Sequence, residues 1–266
     1  MRLARTHDGD IGYLEAGQGD AIVLLHGIGS GARSWLAQIA DLSSRWRVIA
    51  WNAPGYPPSA SLPIAAPSAG DYAERLRDLL DWIGVDRCHL VGHSLGCLIA
   101  ARYARLYPSR VASLTLASCA LGHARLANDD RESLLASRIG DISELGARGM
   151  AEKRGPRLLG HGAAPELISA VVDTMALVDP AGYAQAARML SSGDLVADIE
   201  QLSPDLAVQF LYGDADVITP PHANRLAAQA RPASPVAVMK GAGHACYLEQ
   251  PALFSRIVEG FSSAHG

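Results

Sequence analysis

The chain has 266 residues and a formal net charge of −4, with 49% hydrophobic and 19% charged residues. That balance excludes a disordered chain and supplies enough apolar mass for one large domain or two small ones. The mild acidity speaks against nucleic acid as a partner, because phosphate binding needs a basic stripe.

The N-terminal MRLARTHDGD has no apolar h-region, so the expectation is a cytoplasmic protein rather than an exported one. Strands are predicted around Ile11 to Glu15 and Ala21 to Leu25, separated by the turn residues Gly17-Gln18-Gly19-Asp20. A helix follows from Arg33 to Ser43, with Trp35, Leu36, Ile39 and Leu42 on one face. Arg47 to Trp51 reads as a short strand ending in a Pro/Gly-rich loop, and Gly70 to Ile83 as a helix closed by Gly84. The strand Arg87 to Val91 runs into Gly92-His93-Ser94-Leu95-Gly96 and a helix reaching Tyr107, where Pro108 stops it. A strand at Ala112 to Ala117 comes next. The stretch near Leu90 to Ala104 is the most apolar, but His93, Ser94 and Arg102 break it well short of the roughly 20 residues of a membrane span, so no membrane partner is expected.

The pattern then changes. From about Gly122 to Gln201 only helices are predicted: Ala127 to Leu135, Ile142 to Lys153, Pro165 to Leu177 and Pro180 to Leu190. Strand signals return at Leu206 to Tyr212 and Ser234 to Met239, before a closing amphipathic helix over Pro251 to Phe261. Such β-α-β alternation predicts an α/β fold with a mainly parallel sheet. The expected organisation is a core of residues 1–121 and 202–266 carrying a helical cap, 122–201, over the carboxyl edge of the sheet. Four cysteines, Cys88, Cys97, Cys119 and Cys246, lie in apolar surroundings without CxxC spacing, and are expected as reduced buried thiols rather than a disulfide or zinc site.

Chemistry concentrates at Gly92-His93-Ser94-Leu95-Gly96. A serine with glycine two residues away on each side, between an apolar strand and a helix, has the pattern of a nucleophile elbow. The tight turn excludes bulky neighbours, and the helix N-terminus aims free N–H groups at any anion formed beside it. Serine needs a base, and the base needs an orienting acid. Of the late histidines, His265 is penultimate and His222 follows Pro220-Pro221 at a helix start. His244 lies in the small-residue loop Lys240-Gly241-Ala242-Gly243, at the carboxyl edge where catalytic groups gather, and is the expected base. Asp214 and Asp216 both lie in the loop after the preceding strand, and either could orient the imidazole.

With these residues the sequence resembles the α/β-hydrolase superfamily over essentially its whole length. The resemblance implies Gly-x-x-Asp after the acid-bearing strand, which maps Gly213 and Asp216 and leaves Asp214 a loop residue. It implies an oxyanion hole from the backbone N–H of Leu95 and that of Ile28, in His26-Gly27-Ile28-Gly29, with His26 and His93 structural. Two departures are Cys97, where a glycine often follows the elbow, and Asn52 with Pro57, where the family's Asp-x-x-Gly-x-Gly loop is altered. The implied reaction is acyl transfer to water through Ser94, Asp216 and His244, with a small-molecule substrate and no metal or organic cofactor. The chain looks similar to 3-oxoadipate enol-lactonases and small-ester hydrolases, and also to the C–C bond hydrolases of aromatic breakdown. A ligand-binding protein of this fold without turnover is the alternative from another class. Arg125, Arg148, Arg154 and Arg157 are the cap arginines that could meet a substrate carboxylate. Nothing in the sequence fixes the oligomeric state.

Overall fold

Ala21–Leu25 is apolar at every position, which suits a strand covered on both faces. In the computed structural model, which describes residues 1–266, it forms β3 near the centre of an eight-stranded sheet. The strands are β1 (Arg2–Thr6), β2 (Gly9–Ala16), β3, β4 (Arg47–Trp51), β5 (Cys88–His93), β6 (Val111–Ala117), β7 (Ala207–Gly213) and β8 (Val236–Met239). They stand in the order β1-β2-β4-β3-β5-β6-β7-β8. The β1–β2 and β2–β4 pairs are antiparallel and all others parallel, as the β-α-β alternation predicts.

Ten α-helices accompany the sheet. Before β7 come α1 (Leu36–Leu42), α2 (Ala69–Trp82), α3 (Leu95–Leu106), α4 (Asn128–Arg154), α5 (Pro165–Met175), α6 (Pro180–Ser192) and α7 (Leu195–Glu200). After it come α8 (Pro221–Gln229), α9 (Cys246–Glu249) and α10 (Pro251–Ser263). No single helix is long and apolar enough to cross a membrane.

Period-two alternation divides β3 between two cores. Val23 and Leu25 pack into one cluster with Tyr72, Leu76 and Tyr103 of α2 and α3. Ile22 and Leu24 pack into the other with Trp35, Phe254 and Val258, beneath α1 and α10. Each fully buried leucine or isoleucine here contributes about 1.5–3 kcal/mol relative to exposure.

Local chemistry sets the helix ends. Ser68 and Asp71 form a reciprocal capping box at the start of α2. At its end, Gly84 sits at φ +66 with open space where a Cβ would project, so the backbone angle alone requires glycine.

The segment between β6 and β7 is helical throughout, and α7 is fastened to α3 by the buried carboxylate of Asp198, which accepts from Arg102 Nε (2.7 Å) and Arg105 Nη1 (2.9 Å). The sequence predicts two helices split between residues 135 and 142. The structure instead runs from Asn128 to Arg154 and breaks at Gly146 (φ 67, ψ 178). Asp141 spans that break by accepting from Lys153 and Arg154. Both β1 and α7 escaped the sequence reading. In β1 only Ala4 is buried, so no apolar alternation marks it, and α7 is too short to show a period.

Candidate active site

Strand β5 ends in His93, and Ser94 follows at φ 53, ψ −115, one of two non-glycine residues with positive φ. Such a backbone is costly for an L-residue and persists only where its surroundings enforce it. The Ser94 N–H donates to Ala117 O (2.9 Å), and its carbonyl accepts from Cys97 N (3.0 Å). A Cβ at Gly92 would lie 2.5 Å from Gly96 O, and one at Gly96 would lie 2.3 Å from Leu25 O. Both flanking glycines are therefore steric necessities. Cys97 packs fully buried and donates its thiol to Gly92 O (3.2 Å), so this departure leaves the turn intact.

The helix α3 begins at Leu95 without a side-chain cap, which leaves the Leu95 and Gly96 amides without an acceptor in the chain. Across from it, the loop after β3 carries Ile28, whose N–H donates to no acceptor in the chain. Three contacts hold that loop. His26 Nδ1 donates to Gly27 O (2.9 Å), and His26 Nε2 accepts from Ala53 N (3.0 Å). The Tyr56 hydroxyl accepts from Gly29 N (3.2 Å). With both ring nitrogens occupied, His26 is structural; burial lowers its pKa to about 4, against the opposing Gly27 bond, and keeps it neutral. Asn52 braces the same region, accepting from Ala32 N (2.7 Å) and donating to Pro57 O (2.8 Å), which ties the altered loop to the turn before α1.

His244 lies 3% exposed in the loop between β8 and α9. Its Nδ1 is 2.9 Å from Asp216 Oδ2. Asp216 also accepts from the amides of Ile218 (2.8 Å) and Thr219 (2.9 Å) and from the Thr219 hydroxyl (2.8 Å). Burial alone would raise the Asp216 carboxyl, but the bond and charge of His244 and the two Thr219 bonds outweigh it and hold the group below the usual carboxylate range. Asp214 is exposed and occupied elsewhere, accepting from Gly241 N (2.7 Å) and pairing with Lys240 (3.2 Å). Geometry thus brings Asp216, and not Asp214, to His244. His222 and His265 are exposed. His93 turns away from solvent and donates Nε2–H to the His244 carbonyl (2.9 Å).

Ser94, His244, Leu95 and Ile28 open onto one cavity of about 420 Å³. Its remaining walls are largely apolar, with Leu121, Met175 and Leu190 among them, and α4, α5 and α6 supply one side. Arg154 and Arg157 reach this cavity, whereas Arg125 and Arg148 do not; they pair at the surface with Asp194 and Asp173. Arg33, His123 and Arg138 also line it and escaped the sequence reading, because nothing local separates a pocket arginine from a solvated one. Thr219, which bridges acid and base, was missed as well; a hydroxyl three residues after the acid is the signal that could have found it.

The mainly parallel sheet agrees with what the comparisons give. A model of the α/β hydrolase family matches residues 22–257, and the chain belongs to that family. It is 30% identical over 264 residues to an uncharacterised protein of Mycobacterium tuberculosis, covering 92% of this chain and 76% of that one. A thermophilic esterase from Thermogutta terrifontis, solved with malate bound, is similar over 100% of this chain and 99% of its own, with a TM-score of 0.88 and 25% identity. The enol-lactonase of Burkholderia xenovorans shares the fold, with a TM-score of 0.88, 20% identity and coverage of 98% and 100%.

Proposed function

We propose that this chain is a serine hydrolase that cleaves a small carboxylic ester or lactone through an acyl-enzyme on Ser94. The observation that carries the reading is the buried His244 Nδ1–Asp216 Oδ2 bond of 2.9 Å, made by a histidine that faces the same cavity as Ser94. Ser94 Oγ attacks the carbonyl carbon as its proton passes to His244 Nε2. The amides of Leu95 and Ile28 receive the oxyanion, and Asp216 holds the Nδ1–H tautomer and stabilises the imidazolium. His244 returns the proton to the departing oxygen. It then takes one from water, whose oxygen attacks the acyl carbon, and passes that proton to Ser94 Oγ as the C–Oγ bond breaks and the acid leaves.

In this reading residues 122–201 are a cap over a core of 1–121 and 202–266, and the cavity under it is of a size for a small molecule. The test is labelling by a fluorophosphonate, which should mark the wild type and not Ser94→Ala. An unlabelled wild type would leave the fold as a ligand-binding shell. A panel of p-nitrophenyl esters, an enol-lactone and a vinylogous diketone then separates ester, lactone and C–C cleavage, and turnover of the diketone alone would overturn the ester reading.

A further inference from the structure

The cavity at Ser94 has a one-sided charge. Four arginines line it (Arg33, Arg138, Arg154 and Arg157) and no aspartate or glutamate does, in a chain whose net charge is −4. Arg154 is neutralised by Asp141. Arg33 and Arg157 are exposed, and water can solvate them. Arg138 differs: it is half-buried on α4, makes no ion pair, and its one polar contact is a 3.4 Å donation to the hydroxyl of the fully buried Tyr183.

Tyr183, accepting from Arg138, keeps its own hydrogen free to donate. A guanidinium with no carboxylate partner and a phenol with a free hydrogen thus meet in a wall otherwise apolar. A guanidinium fork with a neighbouring hydroxyl donor suits the two oxygens of a carboxylate.

Resting on the ester-hydrolase reading above, we infer that Arg138 and Tyr183 form a carboxylate subsite, and that the substrate is an ester or lactone bearing a second, ionised carboxyl group. Arg33 and Arg157, exposed along the same cavity, add a positive field that draws such an anion in. The neutral reacting carbonyl then sits at Ser94, while the charged end is anchored against α4 and α6.

The test compares two esters with one leaving group, the mono-p-nitrophenyl ester of glutaric acid and p-nitrophenyl pentanoate. The wild type should favour the glutarate in kcat/KM by about tenfold or more at low ionic strength. Arg138→Gln should cut that preference roughly tenfold to a hundredfold, chiefly through KM, Arg138→Lys should restore part of it, and Arg125→Gln should leave it unchanged. A wild type without the preference, or an Arg138→Gln variant that keeps it, overturns the subsite. If neither ester is hydrolysed, the ester reading fails and glutarate itself becomes the probe. Calorimetric titration should then show binding to the wild type and none to Arg138→Gln, and no binding to the wild type overturns the inference on its own.

Discussion

The imidazole of His93 donates from Nε2 to the backbone carbonyl of His244 at 2.9 Å, so the strand that ends beside Ser94 also holds the loop that carries His244. The ring packs edge-on against Tyr247 at 4.7 Å and tilted against His244 at 4.8 Å, measured between centroids. Phenylalanine would keep this packing and remove the donor. His93→Phe is expected to lower kcat by about 10- to 100-fold, because a base displaced by a fraction of an ångström loses its alignment. The orphaned carbonyl should cost about 1–3 kcal/mol in urea unfolding. Unchanged kcat in a folded variant would show that His244 needs no such brace.

Asp216 and Asp214 separate cleanly. Asp216→Asn keeps shape but presents an amide to His244 Nδ1 and loses the acceptor that fixes its tautomer, so kcat should fall about 10³- to 10⁴-fold. Asp214→Asn touches only Gly241 and Lys240 at the surface and should leave esterase activity near the wild-type rate. The reverse pattern in p-nitrophenyl ester assays would move the acid's role.

Strands β3 and β4 were legible to the residue because unbroken apolar runs end at charged or turn residues. The elbow was legible because two glycines forced by contacts as close as 2.3 Å leave a fixed spacing around the serine. Neither the acid nor the pocket arginines follow from local chemistry. Asp214 and Asp216 are chemically alike and two residues apart, and only the path of β7 and β8 decides which meets His244. Likewise Arg138 and Arg148 lie on the same helix, yet one faces the cavity and the other pairs with Asp173, across a break at Gly146 that no composition signal marks.

One attachment of the 122–201 helices is a backbone contact between glycines. Gly182 of α6 meets the loop at Gly55, itself at φ +81, and a Cβ on Gly182 would lie 1.9 Å from Gly55 O. Since that neighbour is backbone and cannot swing aside, Gly182→Ala must push α6 off the loop, costing about 1–3 kcal/mol or more. KM should rise as the Tyr183 wall shifts. Gly260, exposed in α10 with open space around it, gives the contrast: Gly260→Ala should stabilise by about 0.5–1 kcal/mol. Thermal unfolding of the two variants in opposite directions checks both.

Acid should destabilise the fold through its buried histidines. Desolvation lowers His26 to about 4 and His93 to about 3, from 6.5, so each is neutral when folded and binds a proton when unfolded at intermediate pH. The unfolded state then holds more protons, and stability must fall as pH drops below 6.5 until each folded-state value is passed. At pH 5 the two together should cost about 4 kcal/mol relative to pH 7, at about 1.4 kcal/mol per pH unit each. Asp216 contributes nothing in this window: its lowered folded value means that its stabilisation is intact above the unfolded carboxylate range and is lost only at lower pH. Urea midpoints taken between pH 7 and pH 4.5 measure the slope, to which His26 and His93 should contribute an uptake of about two protons on unfolding near pH 5. Replacing His26 by Asn should remove about one of them. A flat profile would mean that these rings are charged in the folded protein, contrary to the bonds that His26 Nε2 accepts from Ala53 and that its Nδ1 donates to Gly27.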